Sequence, residues 1–328
     1  MEPMTVVTCE MSEDEKALFQ ECLQGVTRFV FLQDVQVQER RYALEKAEVV
    51  VSQSFSPREI APEEIAFLKK TKFIQLVFSG ADDVPFHLIP EHITVANNPG
   101  AFSEPIAEHV LAMVLSLAKR LHLKHDLLAR GRFDRSGFNT FLKGRTCAII
   151  GVGGNGKAVA RLMRALDMTV FGINRSGKTD APVDRIGTLE DLKEILEASD
   201  VVVLTIPLTQ RTRGLIGKEA LAWMKADAIL INVARGAVID QGALYEHLKK
   251  HPDFRAGIDT WWSEPAHHGV FSLDYPFFEL PNIVGSPHLA DAVPGMSPTA
   301  VRLALENVRA YLSGREIRGV LTREDYLS

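Results

Sequence analysis

Short apolar runs alternate with stretches whose apolar residues recur every third or fourth position from the first residues to about Asn98. Residues 5–8, 29–32, 49–51, 74–78 and 93–96 read as strands, and 12–23 and 62–70 carry helical spacing. Strand and helix taking turns in this way predict a parallel sheet covered by helices. A helix is then expected over 103–131, with Ile106, Val110, Met113, Val114 and Leu117 along one face. That face has to be buried, against the neighbouring domain or against a second subunit, and the spacing leaves both open. A second series follows, with strand candidates at 146–150, 169–173, 201–205, 228–233, 255–258 and 283–286, and six such runs suit a doubly wound sheet. Residues 297–312 are expected to form a closing helix, stopped by Gly314.

Composition turns this pattern into two domains, because 328 residues with 46% hydrophobic side chains exceed what one core usually organises. The formal charge is −5, with Lys and Arg scattered rather than gathered into a stripe, which argues against nucleic acid as a partner. No apolar run approaches the roughly 20 residues that span a bilayer. Residues 1–8 lack the basic-then-apolar start of a secretory leader, so a cytoplasmic protein without membrane contact is expected. Cys9, Cys22 and Cys147 have neither metal-ligand nor redox-pair spacing and read as reduced thiols, and no metal site is expected.

Candidate chemistry enters where 146–150 runs into Gly151-Val152-Gly153-Gly154-Asn155-Gly156 and then into helix-forming residues from Lys157. The glycine pattern alone is weak, but strand before and helix after make it a candidate dinucleotide-binding loop. Gly151 permits the tight turn, Gly153 lets the backbone approach a pyrophosphate, and Gly156 allows close helix–strand packing. The helix N-terminus would offer its unpaired N–H groups to the phosphates. Where an acidic residue would hold the adenosine ribose of NAD, the chain has Asn174-Arg175-Ser176. A guanidinium flanked by amide and hydroxyl donors suits a 2′-phosphate, so NADP(H) is favoured and NAD(H) is the alternative. Arg175 lying over the adenine ring is the other reading of that residue.

Three more segments carry the case: Asn232-Val233-Ala234-Arg235-Gly236, Gly257-Ile258-Asp259-Thr260-Trp261-Trp262-Ser263-Glu264-Pro265, and Ser286-Pro287-His288-Leu289-Ala290. Ser79-Gly80-Ala81-Asp82, Asn98-Pro99-Gly100, Ala107-Glu108-His109 and Pro207-Leu208-Thr209 through Thr212 support them. With the glycine loop, and in this order, they resemble the D-isomer-specific 2-hydroxyacid dehydrogenase family over nearly the whole chain, in its glyoxylate/hydroxypyruvate reductase-like form. The resemblance implies an α/β fold of two doubly wound parallel-sheet domains, a Rossmann cofactor domain at 99–287 inserted into a flavodoxin-like substrate domain at 1–98 and 288–328. It also implies a homodimer built through the helix after Asn98, and hydride transfer between NAD(P)H and C2 of a small 2-oxo or 2-hydroxy acid. Such a reduction needs a cation for the carboxylate and carbonyl and a proton donor for the developing alkoxide. By resemblance Arg235 is the cation, His288 the donor, and Glu264 the acid that favours the charged imidazole. Backbone amides at Ser79 and Gly80 would complete the carboxylate site. Pro207, Thr212, Val233 and Ala234 would border the dinucleotide, and Asp259 would stand near the nicotinamide, unless it is a helix cap.

The chain departs from the family's pattern in two places. Asn155 replaces an apolar residue, and Trp261-Trp262 replaces a smaller apolar and aromatic pair. Indoles there would either narrow the substrate pocket or pack in the core. Formate-oxidising relatives carry Gln where this chain has Glu264, which counts against that activity, while phosphoglycerate dehydrogenases stay open. Outside the enzymes, a dinucleotide-sensing corepressor of the same fold is the alternative. Substrate selection is expected from loops at 53–55 and 78–82.

Overall fold

The computed structural model describes residues 2–327, with His267 described through its backbone only. It divides into two compact units, Met1–Ala101 with Val293–Ser328, and Phe102–Ala292. The return to the first unit thus falls at 292/293 rather than at the expected 287/288. The amides of Leu289 and Ala290 bond to the Asp259 carboxylate and keep 288–292 with the second unit.

In the first unit β1 (Met4–Val7), β2 (Arg28–Phe31), β3 (Val49–Ser52), β4 (Phe73–Leu76) and β5 (Thr94–Ala96) form one sheet in the order β2-β1-β3-β4-β5. Every pair is parallel. The central strands β3 and β4 are buried at every residue, as strands covered on both faces must be. Helix α1 (Glu13–Leu23) starts at Ser12, whose hydroxyl accepts from Glu15 N while the Glu15 carboxylate accepts from Ser12 N, a reciprocal cap. Helix α2 (Val37–Lys46) has no counterpart in the sequence pattern. It buries only Ala43 and Leu44, too few apolar positions to register as a stripe. The helix expected at 62–70 is a 3₁₀ stretch, Pro62–Phe67.

The second unit begins with α3 (Ser103–Ala118) and α4 (Leu121–Ala129). The single helix expected over 103–131 is broken at Arg120, which adopts a left-handed conformation with φ 50°. Helix α3 buries Ala107, Val110, Met113, Val114 and Leu117 in the same core as Ile149, Val203 and Ile231, so its apolar face packs within its own unit. None of the residues of α4 is buried.

Strands β6 (Thr146–Ile150), β7 (Thr169–Ile173), β8 (Arg185–Gly187), β9 (Val201–Leu204), β10 (Ile229–Asn232), β11 (Arg255–Ile258) and β12 (Ile283–Gly285) follow. They form an all-parallel sheet in the order β12-β11-β10-β9-β6-β7-β8. The winding reverses between β6 and β9, which creates the switch point where doubly wound sheets take ligands at their carboxyl edge. Helices α5 (Gly154–Ala165), α6 (Leu192–Ala198), α7 (Lys218–Trp223), α8 (Gln241–Lys250) and the one-turn α9 (Pro265–His268) connect them. Apolar clusters lie on both faces of the sheet.

Helix α10 (Met296–Leu312) belongs to the first unit, where Arg302 grips both carboxylate oxygens of Glu21 on α1 at 2.6 and 2.8 Å. Among the described residues no helix is long and apolar enough to cross a membrane.

Candidate active site

β10 ends at Asn232, whose buried side chain accepts from Ala234 N at 3.0 Å and donates to Arg235 O at 2.9 Å, folding 232–235 into a tight turn. Gly236 is required next, because a Cβ there would stand 2.3 Å from the carbonyl carbon of Trp261. The half-buried Arg235 therefore rides on a turn packed directly against the segment that carries Glu264.

Glu264 is 8% exposed. Its Oε1 accepts from Trp261 N at 2.6 Å, which sets the carboxylate's orientation, and its Oε2 lies 2.6 Å from His288 Nδ1. His288 has φ 50°, a left-handed conformation that costs a non-glycine residue about 1–2 kcal/mol. Its backbone N–H donates to Asp259 O at 2.8 Å, one of the bonds that hold it there. The hydrogen bond that the ring donates to Glu264, and then the charge of that carboxylate, hold the His288 pKa above the ordinary imidazole value, against partial burial and the opposing charge of Arg235. With Nδ1 engaged, Nε2 is the ring atom left to exchange a proton with a substrate. Arg235, Glu264 and His288, distant in sequence, are gathered in the second unit.

Asp259 is 1% exposed, and both carboxylate oxygens are taken. Oδ1 accepts from Ser286 Oγ at 2.6 Å and Leu289 N at 3.1 Å, and Oδ2 accepts from Ala290 N at 3.3 Å. It is not the cap of α9, whose N-cap residue is Glu264. Its carboxylate instead anchors the loop that carries His288. Ser286 Oγ also lies 2.8 Å from His109 Nε2 on α3. The motifs that contain Ser286 and His109 assign neither residue a role. The signal available was a polar ring on the apolar side of α3, one residue before buried Val110.

Trp261 and Trp262 resolve to core packing. Trp261 is 6% exposed and donates from Nε1 to Ser286 O at 2.8 Å, while Trp262 donates to Ile239 O at 2.7 Å and stacks on Phe277.

The glycine loop leaves β6 at the switch point. Gly151 has φ 110°, and a Cβ on it would stand 2.6 Å from Ile206 N in the loop after β9. A Cβ on Gly156 would meet Gly151 O at 2.3 Å. Gly153 differs, since no protein atom lies within 4 Å of where its Cβ would stand. The protein's own packing sets no demand for glycine there, whereas a pyrophosphate approaching the backbone would, so the loop fits a dinucleotide. Gly154 opens α5, and the Asn155 side chain accepts from Ser103 Oγ at 2.9 Å, tying α5 to α3. After β7, Asn174 donates to Lys178 O at 2.7 Å and Ser176 Oγ lies 3.3 Å from Asn174 Oδ1. Arg175 and Ser176 are exposed, and 174–178 contains no carboxylate. Thr212 closes the loop after β9, donating to Pro207 O at 2.7 Å and accepting from Thr209 N at 2.8 Å. Val233 and Ala234 are buried.

In the first unit, Ser79 follows β4 and donates from Oγ to Asn98 O at 2.8 Å, while Asn97 donates to Ser79 O at 2.6 Å. The Ser79 and Gly80 N–H groups have no acceptor among the described residues. Glu59, unnoticed in the sequence, collects Ser52 Oγ, Thr8 Oγ1, Gln53 N, Ser54 N and Ser54 Oγ, and so holds the loop after β3.

The family model described as "D-isomer specific 2-hydroxyacid dehydrogenase, NAD binding domain" matches residues 111–290, more than half of the chain. The chain belongs to the D-isomer specific 2-hydroxyacid dehydrogenase family. The second unit of this 2-hydroxyacid dehydrogenase family member is thus a nicotinamide dinucleotide-binding domain, and the expected pair of parallel-sheet α/β domains is what the chain forms. It is 35% identical to glyoxylate/hydroxypyruvate reductase B of Pectobacterium carotovorum subsp. carotovorum over 68% of this chain and 69% of that protein. It is 30% identical to D-3-phosphoglycerate dehydrogenase of Methanocaldococcus jannaschii over 85% of this chain and 52% of that one. The chain spans about half the length of the phosphoglycerate dehydrogenases it matches. A solved structure from Pyrobaculum aerophilum, provisionally described as a formate dehydrogenase, is similar with a TM-score of 0.82 and 29% identity, covering 100% of both chains.

Proposed function

We propose that the chain is a cytoplasmic oxidoreductase that moves a hydride between NAD(P)H and C2 of a small 2-oxo or 2-hydroxy acid, with NADP(H) preferred. The observation that carries this reading is the Glu264–His288 pair at 2.6 Å, within reach of the Arg235 charge. The dinucleotide, when bound, supplies or accepts the hydride. Arg235 binds the substrate carboxylate through paired N–H groups and draws electron density toward the carbonyl oxygen. His288 Nε2 delivers a proton to that oxygen as it becomes an alkoxide, and Glu264 stabilises the imidazolium beforehand. In the oxidative direction the neutral ring takes the hydroxyl proton.

By family resemblance, the Ser79 and Gly80 amides are further donors to the carboxylate, and Pro207, Thr212, Val233, Ala234 and Asp259 border the dinucleotide. Gly151, Gly153, Gly154, Asn155 and Gly156 would receive the pyrophosphate at the amino end of α5. Asn174, Arg175 and Ser176 would receive the 2′-phosphate, a choice supported by the lack of a carboxylate there. The glyoxylate/hydroxypyruvate reductase relative favours an acid of two or three carbons, and Glu264 in place of Gln counts against formate.

A homodimer is the proposed assembly. Leu121, Leu128, Phe133, Phe138 and Phe141 are 64, 56, 82, 94 and 69% exposed, an apolar segment following α3 that suits a subunit contact better than α3 itself.

The deciding experiment is a panel of glyoxylate, hydroxypyruvate, pyruvate and phenylpyruvate, each assayed with NADH and NADPH. Turnover of at least one, faster with NADPH, is expected. Tight nucleotide binding without turnover of any 2-oxo acid would overturn the reading in favour of a dinucleotide sensor of the same fold.

A further inference from the structure

His109, Ser286 and Asp259 form a hydrogen-bonded row in the second unit that the proton path above does not use. Ser286 Oγ lies 2.6 Å from Asp259 Oδ1 and 2.8 Å from His109 Nε2. An ionised carboxylate only accepts, so the one hydroxyl proton of Ser286 goes to Asp259, and Ser286 must then accept from His109. That places a proton on His109 Nε2. The far end of the row is the catalytic loop, because Asp259 also accepts from the amides of Leu289 and Ala290 while its own carbonyl accepts from His288 N. Nothing in the packing of α3 asks for histidine at 109, where Ile106, Val110 and Met113 would be continued by leucine. The demand comes from the polar row.

We propose that His109 is a positioning residue: by donating from Nε2 it commits the Ser286 hydroxyl to Asp259, and thereby holds the 286–290 loop that presents His288 to Glu264. This rests on His288 being the proton donor of the proposed reaction. Without the His109 donor, the Ser286 rotamer is no longer fixed, and when the hydroxyl swings away a carboxylate that is 1% exposed loses one of its three hydrogen-bond donors. The loop then relaxes from its left-handed conformation at His288, and the Nδ1–Oε2 contact lengthens. The charged groups that bear on His288 are Glu264, Arg235 and Asp259, and His109 itself faces Ser286 and, at 3.6 Å, Asp259.

The test uses the full chain and four variants, His109→Leu, His109→Gln, Ser286→Ala and the double variant His109→Leu/Ser286→Ala. Gln places an N–H at about the reach of Nε2. The first readout is the titration of the His288 ring by NMR without substrate, and the second is kcat and KM for a 2-oxo acid that the parent reduces. In His109→Leu the His288 titration should move toward the ordinary imidazole range and kcat for reduction should fall about tenfold, the weight of one hydrogen bond to a charged group. KM and nucleotide affinity should stay close to the parent's. His109→Gln should restore both readouts, Ser286→Ala should reproduce the loss, and the double variant should lose no more than either single one. An unmoved His288 titration in His109→Leu would overturn the proposal, as would equal loss in His109→Gln or additive losses in the double variant. If no 2-oxo acid is turned over, the proposed reaction fails, and the titration alone still decides whether His109 positions the loop.

Discussion

Replacing Glu264 with Gln removes the charge beside His288 while keeping the shape of the side chain. Glu264 Oε1 accepts from Trp261 N and Oε2 faces His288 Nδ1, both at 2.6 Å. Gln would therefore seat its oxygen on the Trp261 amide and turn its NH₂ toward Nδ1. An N–H in that position bonds the lone pair of a neutral imidazole and opposes the imidazolium. A hydrogen bond to a charged group contributes about 1.5–3 kcal/mol. With 34% of the His288 side chain exposed, solvent screening selects the lower end. About 1.4 kcal/mol is a factor of ten in the protonated fraction.

Reduction needs the imidazolium, so kcat/KM for reduction in Glu264→Gln should match the parent at pH below both titrations and fall about tenfold below it on the alkaline side. Oxidation needs the neutral ring, so its acid limb should move to lower pH and its rate near neutrality should suffer less. Stability follows the same sign. A histidine pKa raised by folding adds stability that is fully present below the unfolded value and is lost as pH rises through the folded one. The melting-temperature gap between parent and variant should accordingly be widest in mild acid and narrow toward alkaline pH. The assay is kcat/KM against pH in both directions, with nucleotide binding followed separately by fluorescence. Superimposable pH profiles would refute the pairing.

His288→Asn should depress both directions by about 10²–10⁴-fold without releasing nucleotide, and near-parent turnover would rule out His288 as the proton donor. Arg235→Lys keeps the charge but loses the planar fork, so it should raise KM for the oxo acid and lower kcat. A matching loss of nucleotide affinity would instead make Arg235 a cofactor or fold residue. Arg175→Ala should weaken NADPH about tenfold while sparing NADH, and equal losses would show that Arg175 does not read the 2′-phosphate. Phe133→Ser combined with Phe138→Ser should convert a dimer to monomers in sedimentation velocity, and an unchanged sedimentation coefficient would place the subunit contact elsewhere.

The features legible along the chain are the local and repetitive ones. The strands at 146–150, 169–173 and 255–258 end where their apolar runs end, because strands covered on both faces are held to nearly continuous apolar runs, with Arg255 at the start of the last as an exception. The glycine loop was legible for a similar reason, since Gly151 and Gly156 answer to clashes with backbone atoms that any strand–turn–helix of this kind creates. Half-exposed elements were not legible. β8 is an edge strand with a single buried residue, and half of the residues of α2 are charged. Nor was the break at Arg120, whose neighbours carry ordinary helical spacing and whose guanidinium bonds to Asp253, far along the chain.

The site divides along the same line. Arg235, Glu264 and His288 could be named from motifs, but their distances, the choice of Nδ1 for Glu264, and the burial of Trp261 belong to the tertiary structure. The row from His109 through Ser286 to Asp259, and the five donors gathered on Glu59, lay beyond sequence reasoning altogether. Local spacing encodes what neighbours along the chain share. A hydrogen bond between residues 177 positions apart is set by how sheet and helix pack, and no periodicity along the sequence carries it.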